Sequence, residues 1–400
     1  MRILIIGGGA AGLAAAVSAR KENKKAEITV VERNDRIAKK ILATGNGRCN
    51  FTNANMSPTC YFGDREFAKK VLENFGTEEA LRFFEDLGVM HREEEGRIYP
   101  RSNQATSISD ALRLFLAENN VKIITGKKIS KLKYENGKFN ADSISADKVI
   151  VAVGGCAAPN FGTDGSSYNL LTDFGHGKTR TKCALVSLKT DTEKIRGLKG
   201  VKVFARAEMT VNGKVVASDT GEVLFTDYGV SGIPIMQISR FAEKGAQVRL
   251  DMMSEMSFED LCGELRKRAA LFPERDGTEI FSGLINKKLA VPVMRGGNVE
   301  KMNVKAKDFT DKNILGFAKF LKGLRLTVVG DSSFSNAQVT AGGIETAKFD
   351  PVTMESKLKK GLYAVGEALD VDALCGGYNL HFAWATGAAA GKYAAREAKK

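Results

Sequence analysis

Arg2-Ile-Leu-Ile-Ile-Gly7-Gly-Gly9-Ala-Ala-Gly12-Leu-Ala-Ala-Ala16 opens the chain and decides its fold. Four consecutive apolar residues, Ile3 to Ile6, predict a buried strand, and the alanine-rich stretch from Leu13 to Ala19 predicts a helix. Between them Gly7 allows a tight turn, Gly9 lets the backbone approach a pyrophosphate, and Gly12 lets helix and strand pack closely. The unpaired amides of the helix start would meet the phosphates. A second strand, Ile28-Thr-Val-Val31, ends in Glu32, twenty positions past Gly12. A carboxylate there accepts hydrogen bonds from a ribose diol and repels a 2′-phosphate, which selects FAD or NAD over NADP for the resident site. The bland alternative makes Glu32 a solvated acid at a strand end.

At 400 residues the chain is too long for one small core and suits two or three domains. Hydrophobic residues at 43% and charged residues at 27% describe an ordinary soluble globular protein. No apolar run approaches the roughly eighteen residues of a membrane span, and the first strand begins right after Met1-Arg2 in place of a signal peptide. A cytoplasmic enzyme without a membrane partner is expected. The six cysteines form no C-x-x-C pair and the three histidines lie far apart, so metal-ligand spacing is absent and no metal is expected. A net charge of +13 suits either an anionic partner such as RNA or a basic surface. The lysines fall in short scattered pairs such as Lys24-Lys25 and Lys127-Lys128, which favours a solvated surface for each pair.

After the opening unit, residues 39–53 are too rich in Gly and Asn for helix or strand. Apolar spacing predicts helices over 65–74, 77–87 and 107–119, and short strands over 122–124, 128–134 and 138–143, the last two joined by an Asn136-Gly137 turn. Residues 148–153 form another buried strand, closed by Gly154-Gly155. From about 189 the pattern becomes antiparallel, with strands at 202–206, 208–211 and 214–217, and between 257 and 322 it becomes helical at 258–270, 278–289 and 308–321. This predicts an α/β nucleotide domain over 1–188 and 338–400, interrupted by an antiparallel β-barrel over 189–254 and 323–337, itself interrupted by a helical subdomain over 255–322. The nucleotide domain resumes with the strand before Gly366-Glu367-Ala-Leu-Asp370, and Gly376-Gly377 precede a helix running to about Ala398. That helix start presents free amides and a positive dipole end. Aimed at a flavin, it would stabilise negative charge at N1 and C2=O of the reduced ring. No second G-x-G-x-x-G follows, because the strand at 324–330 continues into Asp331-Ser-Ser-Phe-Ser335. If a nicotinamide donor, NADH or NADPH, reduces the flavin, it must therefore dock transiently.

These landmarks together resemble the BaiN/RdsA-like flavoproteins, also called aminoacetone oxidase family FAD-binding enzymes. The resemblance rests on Gly7 to Gly12 with Glu32, on residues 43–53 (ATGNGRCNFTN), on 221–232 (GEVLFTDYGVSG), on 353–379 with its GEALD and GGYN segments, and on 337–343 (AQVTAGG). It implies a Rossmann-like FAD domain of the two-dinucleotide-binding type with the barrel and helical inserts. It also implies FAD contacts at Gly7, Gly9, Ala11, Gly12, Glu32, Arg33, Lys40, Thr44, Gly45, Gly47, Arg48, Cys49, Asn50, Ile129, Gly154, Gly155, Gly366, Glu367, Asp370, Gly376, Gly377, Tyr378 and Asn379. Two departures stand out: Val153 replaces a usual Thr, where backbone atoms carry the contact, and Asp227 stands where relatives often have His, which bears on substrate choice. Relatives of this kind reduce activated C=C bonds in steroid-like enones or in a uracil ring of ribosomal RNA, or oxidise amines.

The expected activity is FAD-dependent hydride transfer through flavin N5 to a small-molecule substrate covered by the inserts. A uridine-reducing enzyme acting on ribosomal RNA and a flavin electron carrier are the alternatives. Arg48 and Asn50 read as cofactor contacts or as loop-shaping residues. Cys49 and Cys375 both map beside the flavin, yet no partner thiol or base is readable, so packing competes with redox chemistry. Tyr378 and Asn379 either touch the ring or cap the helix, and His381 either acts as an acid or is a packed imidazole. Cys49, Tyr378 and His381 are thus the candidates for catalysis.

Overall fold

The structure is a computed structural model that describes residues 1–330 and 333–397. The chain divides into two compact units, one formed by Met1–Lys182 with Gln338–Lys400 and the other by Cys183–Ala337. The Asp331–Ser332 step and the expected helix end at Ala398 lie outside the described residues.

In the first unit the strand Arg2–Ile6 lies at the centre of a five-stranded parallel sheet. Lys148–Val151 and then Leu362–Ala364 pair on one side of it, and Glu27–Val31 and then Lys122–Ile124 on the other. Ile5 thus sits between Ile150 and Val30. Near-continuous apolar runs suit such strands, because a parallel sheet is covered on both faces. The helix Ala10–Glu22 is buried almost all round, which explains why its sequence is alanine-rich and barely amphipathic. It packs on the helix Tyr378–Ala395 at backbone distance: a Cβ on Gly387 would lie 2.2 Å from the Ala11 carbonyl oxygen, and one on Gly391 2.1 Å from that of Ala15. The two helices could not approach so closely with larger residues at these two points.

The helices at 65–74, 77–85 and 105–118 fall where the apolar spacing predicts them. Asp64 caps the first through the Phe67 amide, at 3.0 Å. The strand expected from residue 128 begins only at Leu132.

In the second unit six antiparallel strands run in the order Leu188–Lys189, Gly229–Ser231, Lys214–Phe225, Lys202–Val211, Gln247–Asp251, Leu324–Thr327. The sheet curls until its two edges meet. Val329 donates to the Lys189 carbonyl at 3.0 Å and Asp191 to that of Thr327 at 2.9 Å, so neither edge is left open there. The two strands expected over 202–211 are one, bent at an irregularity between Met209 and Thr210. The helix expected over 278–289 is instead two single turns, Gly277–Phe281 and Lys287–Leu289. Asn286 stands outside helical conformation between them and caps the second turn, its Oδ1 accepting the Lys288 amide at 3.0 Å. The helix then starts at Ala290 and ends at Gly296. Helices Phe258–Leu271 and Asp311–Gly323 share one hydrophobic core with the sheet, in which Phe225, Leu250, Leu265 and Phe317 are all buried.

Candidate functional site

In parallel sheets with covering helices, ligands sit beyond the carboxyl ends of the strands. The loops that leave those ends here carry Gly7 to Gly12, Glu32, Gly154-Gly155 and Gly366 to Asp370. Three of the four glycines of the first turn, Gly7, Gly9 and Gly12, have three separate steric grounds. At Gly7, with φ of +114°, a Cβ would strike the Ala152 oxygen at 2.2 Å; at Gly12 it would strike the Gly7 oxygen at 1.9 Å; at Gly9 it would meet nothing within 4 Å. Gly9 is therefore the point where an outside group can reach the backbone. The helix it opens has no side-chain cap and no acid in its first turn, which leaves amides and a positive dipole end for an anion.

Glu32 is buried, and its carboxylate organises the turn. Oε2 accepts the Gly8 amide at 2.7 Å, while Oε1 accepts the Asn34 amide at 2.8 Å and its Nδ2 at 2.7 Å. One lone pair of Oε2 remains for a ligand hydroxyl. Next to it, Arg33 Nη1 pairs with Asp164 Oδ1 at 2.9 Å and donates to the Gly162 oxygen at 3.3 Å. Against the burial that would raise it, Ser166 and Arg33 hold the Asp164 carboxyl at about 2.

Lys40 Nζ reaches Glu367 Oε2 at 2.8 Å and the Ala157 oxygen at 3.3 Å. Glu367 Oε1 accepts the Thr340 amide, and Thr340 Oγ1 accepts the amides of Cys156 and Ala157 at 2.7 and 2.9 Å. One bracket thus joins residues 40, 156–157, 340 and 367. Thr340 lies inside the AQVTAGG stretch, but nothing in its sequence context marks it as the linchpin. Ile129 is buried.

The loop at 44–50 begins as a single turn, Thr44–Gly47, in which Asn46 takes a left-handed φ of 55°, as does Cys49 just beyond at 56°. Thr44 Oγ1 donates to the Ile41 oxygen at 2.6 Å. Gly45 lies against Asn50, and Gly47 faces open space. Arg48 is held outward: it stacks on the Tyr99 ring at 4.2 Å, donates to the Tyr99 hydroxyl at 3.1 Å and pairs with Glu94 at 3.2 Å. The Cys49 thiol is fully buried, and burial pushes it up to about 12. Asn50 Oδ1 is buried without a hydrogen-bond partner, and a Cβ on Gly377 would come within 2.3 Å of it.

Gly376 and Gly377, with φ of 140° and 95°, lead into the last helix, which again has no side-chain cap and no acid in its first turn. Asn53 Nδ2 donates to the Gly376 oxygen at 2.8 Å. Asn379 turns away from this end, exchanging two 2.9 Å hydrogen bonds with the Ala373 backbone. His381 is fully buried; Nδ1 meets Thr52 Oγ1 at 2.8 Å and Nε2 the Phe75 oxygen at 2.9 Å, and burial drives it down to about 4. The Tyr378 phenol is raised to about 12 by burial and then by its neighbour Cys60. Gly366 donates its amide to Thr386 Oγ1 at 3.0 Å. Asp227, in the second unit, is an exposed residue paired with Lys199 at 2.7 Å.

An orphaned buried amide oxygen, an open glycine and two uncapped helix starts within one unit fit a dinucleotide carrying a hydrogen-bonding ring. The fold together with the family and relatives that follow defines an FAD-dependent oxidoreductase of the Rossmann class. The HI0933-like protein Rossmann domain matches residues 1–393, and the chain belongs to the HI0933-like family. It is 40% identical to a 3-dehydro-bile acid delta(4,6)-reductase of Clostridium scindens, over 98% of this chain and 99% of that one. It is 27% identical to a ribosomal RNA dihydrouridine synthase of Haemophilus influenzae, over 96% of each. Among solved structures, the 3-ketosteroid delta1-dehydrogenase of Sterolibacterium denitrificans shares the fold at a TM-score of 0.50 and 11% identity, covering 98% of this chain and 99% of that one. Among the described residues no helix is long and apolar enough to cross a membrane, and no group of three or more His, Cys, Asp or Glu residues could hold a metal ion.

Proposed function

We propose that this chain reduces an activated carbon–carbon double bond of a small, largely apolar substrate, with FAD resident and NADH or NADPH docking transiently as reductant. The observation that carries this reading is the 40% identity, over nearly the whole of both chains, to a reductase named for the delta(4,6) bonds of a 3-dehydro-bile acid. Bound FAD would supply hydride from N5 after taking two electrons from the nicotinamide. The chain's residues supply the rest. Gly9 and the free amides of the first helix would receive the pyrophosphate, and Glu32 the adenosine ribose. Asn50 and the positive end of the last helix would hold the ring edge, offsetting the negative charge of the reduced state.

Of the three side chains weighed for proton transfer, His381 has both nitrogens engaged and Cys49 is sealed from solvent. Tyr378 remains, with a phenol that stays protonated at neutral pH. We assign it the delivery of a proton to the substrate.

A second reading, reduction of uridine in ribosomal RNA, is favoured by the 27% relative and by the net charge of +13. One experiment separates the two: reduce the holoprotein anaerobically and mix it with a conjugated steroid-like enone, with ribosomal RNA, or with oxygen. Rapid flavin reoxidation by the enone alone supports the first reading. Reoxidation by RNA, with binding that weakens steeply as salt rises, supports the second. Reaction with oxygen alone removes both.

A further inference from the structure

Tyr168 closes a tight loop at the carboxyl edge of the parallel sheet. The loop leaves the strand Lys148–Val151 through Gly154-Gly155 and folds back where the Gly165 amide donates to the Gly155 oxygen at 3.1 Å. Gly165 has no room for a side chain, since a Cβ would lie 2.5 Å from Cys156 Sγ and 3.4 Å from the Tyr168 ring. The ring is thereby wedged in place with Lys178 Nζ 5.3 Å from its centre, and the residue is 4% exposed. Yet its hydroxyl is buried with no hydrogen-bond partner. Burial first, then Cys156, Glu367 and Asp370, push the phenol far above its ordinary value, so it is a proton-bearing donor at any physiological pH.

Native interiors seldom keep such a donor unmatched, because it loses its water and gains nothing. Glu367 is already committed: Oε1 accepts the Thr340 amide and Oε2 the Lys40 ammonium. The ammoniums of Lys40 and Lys178 balance the carboxylates of Glu367 and Asp370 around this spot, which leaves no net positive charge for a phosphate. A neutral hydroxyl is the group that accepts from a phenol while donating to a carboxylate. We propose that Tyr168 is a cofactor-binding residue whose phenol donates to a hydroxyl of the ribityl chain of FAD, with Asp370 accepting from the same chain. This rests on the FAD reading above and adds to it a residue whose sequence neighbourhood carries no nucleotide motif.

The test is reversible removal of FAD from wild type and Tyr168→Phe, followed by titration with FAD and thermal melting of both forms. The expected result is a rise of roughly fivefold to tenfold in the Kd for FAD, with the cofactor-free variant melting no lower than cofactor-free wild type. An FAD analogue deoxygenated along the ribityl chain should bind wild type more weakly by at least that factor, because it also loses the Asp370 contact, and should not distinguish wild type from the variant. An unchanged Kd in Tyr168→Phe overturns the proposal, as does a cofactor-free variant that melts well below wild type. If the variant does not fold, undiminished binding of the deoxygenated analogue to wild type overturns it. Failure of wild type to bind FAD at all would instead remove the broader reading.

Discussion

Glu32 Oε2 accepts the backbone amide of Gly8 at 2.7 Å, so the acid at the end of the second strand ties down the glycine turn that follows the first. With Asn34 occupying the other oxygen, this carboxylate serves the turn before any ligand arrives. Glu32→Ala strips three hydrogen bonds from a buried position, and charge-assisted bonds are the costlier kind to lose. The expected outcome is a loss of roughly 2–4 kcal/mol in unfolding free energy, together with a protein purified largely free of flavin. Denaturant melts and the FAD-to-protein absorbance ratio check both parts.

Gly391→Ala should fail for a different reason. The new Cβ would sit 2.1 Å from the Ala15 oxygen, a backbone atom that cannot rotate away. The helices Ala10–Glu22 and Tyr378–Ala395 must separate, at a cost of about 1–3 kcal/mol or more. A lowered melting temperature with normal rates of flavin reduction and reoxidation in the surviving holoprotein is the expected pattern.

Acid should weaken the fold through two histidines. His381 and His176 are both buried, and burial holds each near 4, below the value of about 6.5 for an unfolded chain. Between these values the unfolded chain binds more protons than the folded one. Stability is therefore full above about pH 6.5 and falls as pH drops toward 4. His176 sharpens the effect, because its Nδ1 has no partner while Nε2 meets Ser356 Oγ at 2.9 Å. Replacing His381 with Gln and repeating the urea melts from pH 7 to pH 4 should flatten the slope; an unchanged slope would contradict this assignment.

Tyr378→Phe should split the two half-reactions. Reduction of the flavin by nicotinamide is expected to stay within about twofold of wild type, while reoxidation by an enone slows by roughly a hundredfold, the size of one lost general acid. Stopped-flow traces of each half-reaction decide it. Equal slowing of both would point to a disturbed cofactor instead.

Cys49 is expected to be inert. Its thiol is fully buried and raised to about 12, so the thiolate is scarce at pH 8. Mass spectrometry after brief alkylation of the native protein should find Cys49 unmodified, and Cys49→Ala should keep more than half of the activity.

The opening unit was readable because its signals are local. The apolar run at 3–6, the glycines at 7, 9 and 12 and the acid at 32 each act within a few residues of one strand end, and the observed close contacts at Gly7 and Gly12 are the ones their spacing implies. What escaped the sequence depends on partners far along the chain. Arg48 is held by Glu94 and Tyr99, His381 by Thr52 and Phe75, and Tyr168 is shaped by Glu367 and Asp370. No window of neighbouring residues contains those pairings. The helix expected over 278–289 failed for the opposite reason: its apolar spacing is real, but local capping at Asn286 restarts the chain and moves the helix to 290–296.

The helix that presses against the first one arrives late in synthesis, and so does the strand Leu362–Ala364, which covers Lys148–Val151. A nascent chain leaving the ribosome must therefore carry its unfinished nucleotide domain through several hundred residues, with an apolar strand and the bare flank of an alanine-rich helix awaiting cover. Such intermediates are prone to aggregate. Truncation before about residue 362 would leave both in that state permanently.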